Sequence, residues 1–154
     1  MGRIGGFERD FNPVFHQKLQ SFLKTFPKAF EEFDSMLARN RIFMDRTKGA
    51  GPISAERALS YSFSGPNLRA TGVDYDVRLM NPYSSYEDFD FIVPVGVNGD
   101  TYDRFMVRQE EIRQSLRIIE QAYKNLPEGD YKADLPDFYL PPKAEVYNNM
   151  EALI

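Results

Sequence analysis

The sequence predicts a mainly α-helical fold, and two observations carry that prediction. Apolar residues recur at spacings of three and four over two long stretches, and glycine and proline punctuate the region between them every few residues. The expected architecture is two long helices packed antiparallel, with a loop-rich irregular connection that holds a short helix and one or two short strands. Helices of that length reach on the order of 40 Å each, too long for 154 residues unless they lie side by side.

Asn12 and Pro13 open the first helix, since Asn caps and Pro is tolerated at the first helical position. Phe15, Leu19, Phe22, Phe26, Ala29, Phe33 and Met36 follow at alternating spacings of four and three, with Leu23, Phe30 and Leu37 widening the stripe. The pattern predicts a helix over 13–45, kinked near Pro27, where the ring removes a donor and crowds the preceding turn. An irregular connection is expected over 46–99. Inside it Ser54 caps a helical body from Ala55 to Tyr61, and Phe89–Val93 is a candidate strand.

The turn Asn98-Gly99-Asp100 leads into the second helix, over 100–126, with Asp100 as its cap. Tyr102, Phe105, Gln109, Ile112, Leu116, Ile119, Tyr123 and Leu126 form its stripe, in which Gln109 is the one polar member. Glu120 and Lys124 make an i,i+4 pair on its wet side. Residues 143–154 read as the start of a truncated third helix. The sequence ends on Ala-Leu-Ile without a cap, so 1–154 is expected to be a single partial domain, a fragment of a longer subunit.

Composition removes several function classes. A net charge of −4 and a pI near 5.1, with basic residues interleaved among acids, give no basic face for nucleic acid. Zero cysteines exclude a disulfide framework and a thiolate metal site. No apolar run approaches the roughly 20 residues that span a bilayer.

The stretch RTKGAGPISAERAL at 46–59 invites a phosphate-loop reading and fails it. Lys48 precedes Gly49 and Gly51 instead of following them, Pro52 comes next, and no Ser or Thr stands after the lysine to meet magnesium. A helix-ending loop is the better reading, the alternative being close backbone approach by a partner or ligand. His16 is the single histidine, so no zincin site or Ser-His-Asp triad can be assembled within the sequence. Asp74, Asp76, Asp88 and Asp90 lack calcium-loop offsets and are expected to pair with Arg69, Arg78 or Arg104. Tyr83, Tyr86, Phe89, Phe91 and Tyr102 have no basic interleaving and are expected to pack in the core or at a subunit interface. From these residues alone, no enzyme mechanism emerges.

Four blocks in order add what the physics does not: RIGG at Arg3–Gly6, NRIFMDRTKGAGPISAERAL at 40–59, SGPNLRATGVDYDVR at 64–78, and PVGVNGDTYDRFMVRQEEIRQSLRII at 94–119. Together they closely resemble the D-type subunit family of NADH-quinone oxidoreductase, respiratory complex I, a relative of the nickel–iron hydrogenase large subunit. The resemblance implies a peripheral subunit at the junction with the membrane arm, where electrons that enter from NADH through iron–sulfur clusters reach quinone. It implies other complex I subunits as partners, including the neighbour that carries the terminal cluster. NADH and the clusters are implied to reside in those other subunits and quinone to be the substrate of the assembly, with no cofactor bound in this chain.

The implied location is the cytoplasmic face of a bacterial inner membrane, or the matrix side in a mitochondrion. By the same resemblance, the family's quinone-headgroup histidine and tyrosine belong to segments before RIGG, so no proton donor is assigned here. Arg3, Ile4, Gly5 and Gly6 are the candidates for the quinone-cavity side. A hydrogenase-like metal centre is removed by the absence of cysteine. The isolated chain is expected to be inactive and to self-associate through its unpartnered stripes. The competing reading is a non-catalytic interaction module with no redox role.

Overall fold

The computed structural model describes residues 2–135, 138 and 141–152. The chain divides into two compact units, Ser21–Leu126, and Met1–Gln20 together with Pro127–Ile154. Among the described residues there are seven α-helices and one pair of two-residue strands, so the fold is mainly helical.

Helix α1 (Pro13–Leu37) runs through Pro27 without interruption. The expected helix over 13–45 is broken further on. Asn40 turns its carboxamide oxygen onto the Ile42 and Phe43 amides at 2.9 and 3.2 Å and starts a separate helix, α2 (Arg41–Thr47). A short polar side chain that can satisfy nearby amides competes with helix propagation, and here it starts a new helix in place of continuing the first.

In the Ser21–Leu126 unit the connection holds more helix than one segment. Ser54 accepts from the Arg57 amide and caps α3 (Ala55–Ser60) as the sequence predicts. Two further helices follow, α4 (Gly65–Arg69) and α5 (Val77–Met80), and a 3-10 turn at Tyr86–Asp88. Asp100 caps α6 (Thr101–Lys124) through the Asp103 amide at 2.8 Å. Ala58, Leu68, Ala70, Phe91 and Val107 are buried and form the centre of this unit, with α6 against α4 and α2. Small residues there allow close backbone approach. A Cβ on Gly96 would lie 2.7 Å from the Ala70 carbonyl oxygen, and the Gly96 and Gly99 amides donate to Arg69 and Ala70 carbonyls at 2.9 Å each.

The last turns of α1 meet α6 through polar contacts. Arg113 pairs with Asp34 at 2.7 Å and lies over the Phe30 ring, and the Tyr102 hydroxyl donates to the Ala38 carbonyl at 3.0 Å. The candidate strand Phe89–Val93 forms no regular element and pairs with no strand among the described residues. Glutamines of α6 take that place: Gln121 accepts from the Asp90 amide at 2.9 Å and donates to its carbonyl at 2.8 Å, and Gln114 accepts from the Ile92 amide at 3.0 Å.

The other unit contains the strands, β1 (Gly2–Arg3) and β2 (Gly6–Phe7), paired antiparallel. Helix α7 (Lys143–Asn148) follows Pro142 and is shorter than the reading of 143–154; Leu153 and Ile154 lie outside the described residues. No described helix is long and apolar enough to cross a membrane.

Candidate functional site

The four cavity-side candidates form one hairpin. Arg3 pairs with Gly6 in register, which leaves Ile4 and Gly5 as a two-residue turn. Such turns need positive φ, and Gly5 supplies it at +83°. A second segment braces the hairpin from its open edge: the Phe7 amide donates to the Tyr131 carbonyl at 2.9 Å, and the Ala133 amide donates to the Gly5 carbonyl at 2.8 Å. Gly6 also bridges Lys132. A Cβ on Gly6, whose φ is +144°, would run into the Tyr131 carbonyl oxygen, so only glycine lets the two segments close. The hairpin therefore holds Ile4, 66% exposed, at a fixed tip. That tip offers an alkyl surface and backbone, with no titratable group on Ile4 or Gly5, so it can shape and line a cavity but cannot transfer a proton there.

The chemistry-bearing side chains gather in the Ser21–Leu126 unit. Arg69 and Asp76 are each 5% exposed and pair at 3.4 Å. Arg69 also donates to Glu111 of α6 and to the Tyr75 carbonyl. Arg78 binds Asp76 through two guanidinium nitrogens, at 2.9 and 2.6 Å, and lies over the Phe91 ring at 4.9 Å. Burial alone would push the Asp76 carboxyl up, but hydrogen bonds from Arg78 and the charges of Arg78 and Arg69 outweigh it and hold the pKa below the ordinary range. Burial lowers Arg69, with Asp76 opposing. Asp76 is thus held in its ionised form between two cations, and with the Arg69–Glu111 contact this locks α4, the turn into α5, and α6 together.

The glycine loop after α2 is tied down as well. The Gly49 amide donates to Asp100, Arg104 donates to the Gly51 and Gly99 carbonyls at 2.6 and 2.7 Å, and the Lys48 ammonium sits 4.8 Å from the centroid of the Tyr102 ring. Gly49 and Gly51 adopt φ of +70° and +57°, which agrees with the helix-ending loop. An amide that a phosphate would need is already held by a carboxylate.

Of the aspartates grouped in the sequence, Asp76 pairs with Arg69 and Arg78 as expected. Asp90 instead pairs with Arg117, and Arg104 takes carbonyl oxygens. Tyr86 packs edge-on to Tyr83, Phe89 and Phe91, so these aromatics pack on one another. The partners that sequence reasoning missed are Glu111, Gln114, Gln121 and the brace at Tyr131–Ala133. Glu111 and the two glutamines lie off the apolar stripe of α6, and the brace is distant in sequence. Among the described residues no group of three or more His, Asp or Glu side chains is placed to hold a metal ion.

Comparison with known proteins identifies the family. The sequence profile described as "Respiratory-chain NADH dehydrogenase, 49 Kd subunit" matches residues 1–154. A D-type subunit of the NADH-quinone oxidoreductase of Cytophaga hutchinsonii is 63% identical over 157 residues, which cover all of this chain and 40% of that protein. The D-type subunit of Flavobacterium johnsoniae is 63% identical over 155 residues, covering 38% of its length, and that of Leptospira biflexa is 53% identical over 152 residues, covering 37%. This chain thus spans about two fifths of the length of these relatives. A match that runs over every residue, joined to high identity with several such subunits, places the chain in the family of the 49 kDa subunit of respiratory-chain NADH dehydrogenase.

Proposed function

We propose that this chain is a structural part of the D-type subunit of an NADH-quinone oxidoreductase, and that it helps form the site at which quinone is reduced. The end-to-end family match carries this reading. In it, electrons from NADH pass through iron–sulfur clusters of other subunits, and the chain contributes a wall of the quinone cavity, not a redox centre. The braced hairpin at Arg3–Gly6 is the cavity-side element, because it fixes an apolar tip that suits a hydrophobic quinone. Partners are the other subunits of the complex, among them the one with the terminal cluster, and the location is peripheral, on the cytoplasmic or matrix face of the membrane. The charged cluster around Arg69 serves as the rigid frame.

The contacts Asp34–Arg113 and Ala38–Tyr102 advance in opposite directions along the two helices, which supports an antiparallel pairing of the last part of α1 with α6. Apart from the complex, the chain is inactive and self-associates through exposed apolar side chains on α1.

The test is made in the assembled complex. Ile4→Asp is expected to lower NADH:quinone turnover about tenfold, roughly the effect of one misplaced contact at a reacting site, while reduction of a water-soluble artificial acceptor is retained. Equal loss of both activities would indicate failed assembly, and loss of neither would remove the hairpin from the cavity.

A further inference from the structure

We propose that a cavity in the Ser21–Leu126 unit, walled by Arg57 of α3, Asn67 of α4 and Arg104 of α6, is the docking pocket for an Asp or Glu side chain of a neighbouring subunit. It rests on the reading of the chain as part of a multisubunit oxidoreductase and gives one of those partners a chemistry.

The glycine loop and the way α3 ends build the wall. The Phe63 amide donates to the Ala58 carbonyl at 2.9 Å and the Ser62 amide to the Leu59 carbonyl at 3.0 Å, the bond pattern of a helix closed by a left-handed residue. Ser62 takes that conformation, at φ +57°, where glycine is usual. The chain doubles back there, and Phe63 comes to share the cavity with Arg57. On the other side Arg104 is fixed by the Gly51 and Gly99 carbonyls. The cavity measures about 450 Å³, and Pro52 and Ile53 complete its apolar part.

Its charge is one-sided. Among the described residues neither Arg57 nor Arg104 makes an ion pair, and no acid lines the cavity. Arg104 is half-buried, yet only carbonyl and hydroxyl oxygens answer it. Asp100, which feels the Arg104 charge, is committed to the Gly49 and Asp103 amides. The other buried or half-buried arginines of this unit, Arg69, Arg78 and Arg113, each hold a carboxylate. Two guanidinium forks without an acid, in a chain of net charge −4, are the complement of a carboxylate that arrives from outside.

The surroundings favour a carboxylate on a protein over a free phosphate. Loops that hold phosphate do so with successive backbone amides; here Pro52 has none, and the Ile53 amide donates to the Gly99 carbonyl at 3.2 Å. The rim has the composition of a protein interface. Leu59, Tyr61 and Phe63 are exposed, the Tyr61 and Phe63 rings lie 6.4 Å apart, and the Arg57 guanidinium is 5.8 Å from the Tyr61 ring centroid. Aromatic residues and Arg grouped around a pocket are the usual anchors of subunit contacts.

Carbodiimide coupling in the assembled complex tests this. Arg57→Lys keeps the charge and supplies an amine, which the reagent joins directly to a carboxylate in ion-pair contact. A new zero-length link from position 57 to an Asp or Glu of another subunit is expected, mapped by peptide mass and absent from the unaltered complex. Arg57→Glu should lower the amount of the linked subunit retained by the complex about tenfold, and changing the linked acid to Arg in that variant should restore it. Arg57 is exposed, so the far-UV helicity of the full chain should be unchanged in both variants. A link confined to carboxylates of the same subunit, or no link in an intact complex, would overturn the pocket alone. Failure to recover the unaltered subunit in an NADH-quinone oxidoreductase would overturn the reading of function and the pocket with it.

Discussion

The Gly49 amide donates to the Asp100 carboxylate at 2.7 Å, a bond between residues 51 positions apart. One carboxylate thus serves two turns of chain: Oδ2 holds the glycine loop that ends α2, and Oδ1 caps α6 through Asp103. The Thr101 amide and hydroxyl both donate to the Ala50 carbonyl, at 3.0 and 2.9 Å, and close the same junction. The bond explains why a lysine and two glycines stand before a helix without forming a phosphate site.

Asp100→Ala should therefore destabilise the chain by about 2–4 kcal/mol, the sum of a lost N-cap and of a part-buried hydrogen bond to a charged acceptor. Asp100→Asn should cost less, because its carbonyl can still cap α6. Chemical denaturation of the full chain measures both. Equal midpoints for Ala and Asn would indicate that capping plays no part.

Acid should unfold the protein through these carboxylates. Burial opposes ionisation of Asp100, but amide hydrogen bonds from Gly49, Asp103 and Tyr102, with the Arg104 charge, hold its pKa below the ordinary value; Asp76 is depressed in the same direction. A group depressed in the folded state contributes stability that is fully present above its unfolded pKa, about 3.9 for Asp, and is lost as pH falls through its folded pKa. The urea midpoint should stay level from about pH 7 to 5 and drop below about pH 4. A variant carrying both Asp76→Asn and Asp100→Asn should show a shallower acid limb. A midpoint unchanged from pH 5 to pH 3 would contradict the assignment.

Arg69 is the residue on which the buried charge cluster depends, since it alone touches Asp76, Glu111 and the Tyr75 carbonyl. Arg69→Met should cost about 3–5 kcal/mol, because Glu111 is left without its cation in a part-buried position. Adding Glu111→Gln should recover part of that loss. Additive effects in the double variant would mean that the two side chains are not coupled.

The segment at Phe89–Val93 is held by side chains where a strand partner is expected. Gln114→Ala and Gln121→Ala together should raise hydrogen exchange at the Asp90 and Ile92 amides by at least about tenfold, the loss expected for one or two net hydrogen bonds. The α6 amides should be unaffected. Unchanged exchange at both positions would show that the segment does not need its glutamine partners.

Much of this was legible in the residues, and the limits have physical causes. Asn12 and Pro13, Ser54 and Asp100 mark helix starts because a cap needs only its own next three residues. The break at Asn40 lies inside the helix expected over 13–45, because apolar spacing says nothing about which side chain captures an amide. Helices α4 and α5, of five and four residues, are too short for periodicity to register. Phe89–Val93 has strand composition, but composition cannot tell a strand partner from two glutamines on a helix. Gly6 could be read as a turn glycine; that it must also clear the Tyr131 carbonyl depends on a segment more than a hundred residues away.

We propose that the Arg3–Gly6 hairpin lines the quinone cavity of the assembled oxidoreductase. A photoreactive quinone analogue, bound to the complex, activated and mapped by peptide mass, tests it most directly. Label is expected within the hairpin, on Ile4 or its neighbours, and excess quinone should suppress it. Competable label confined to residues of other segments, with none on the hairpin, would contradict the claim.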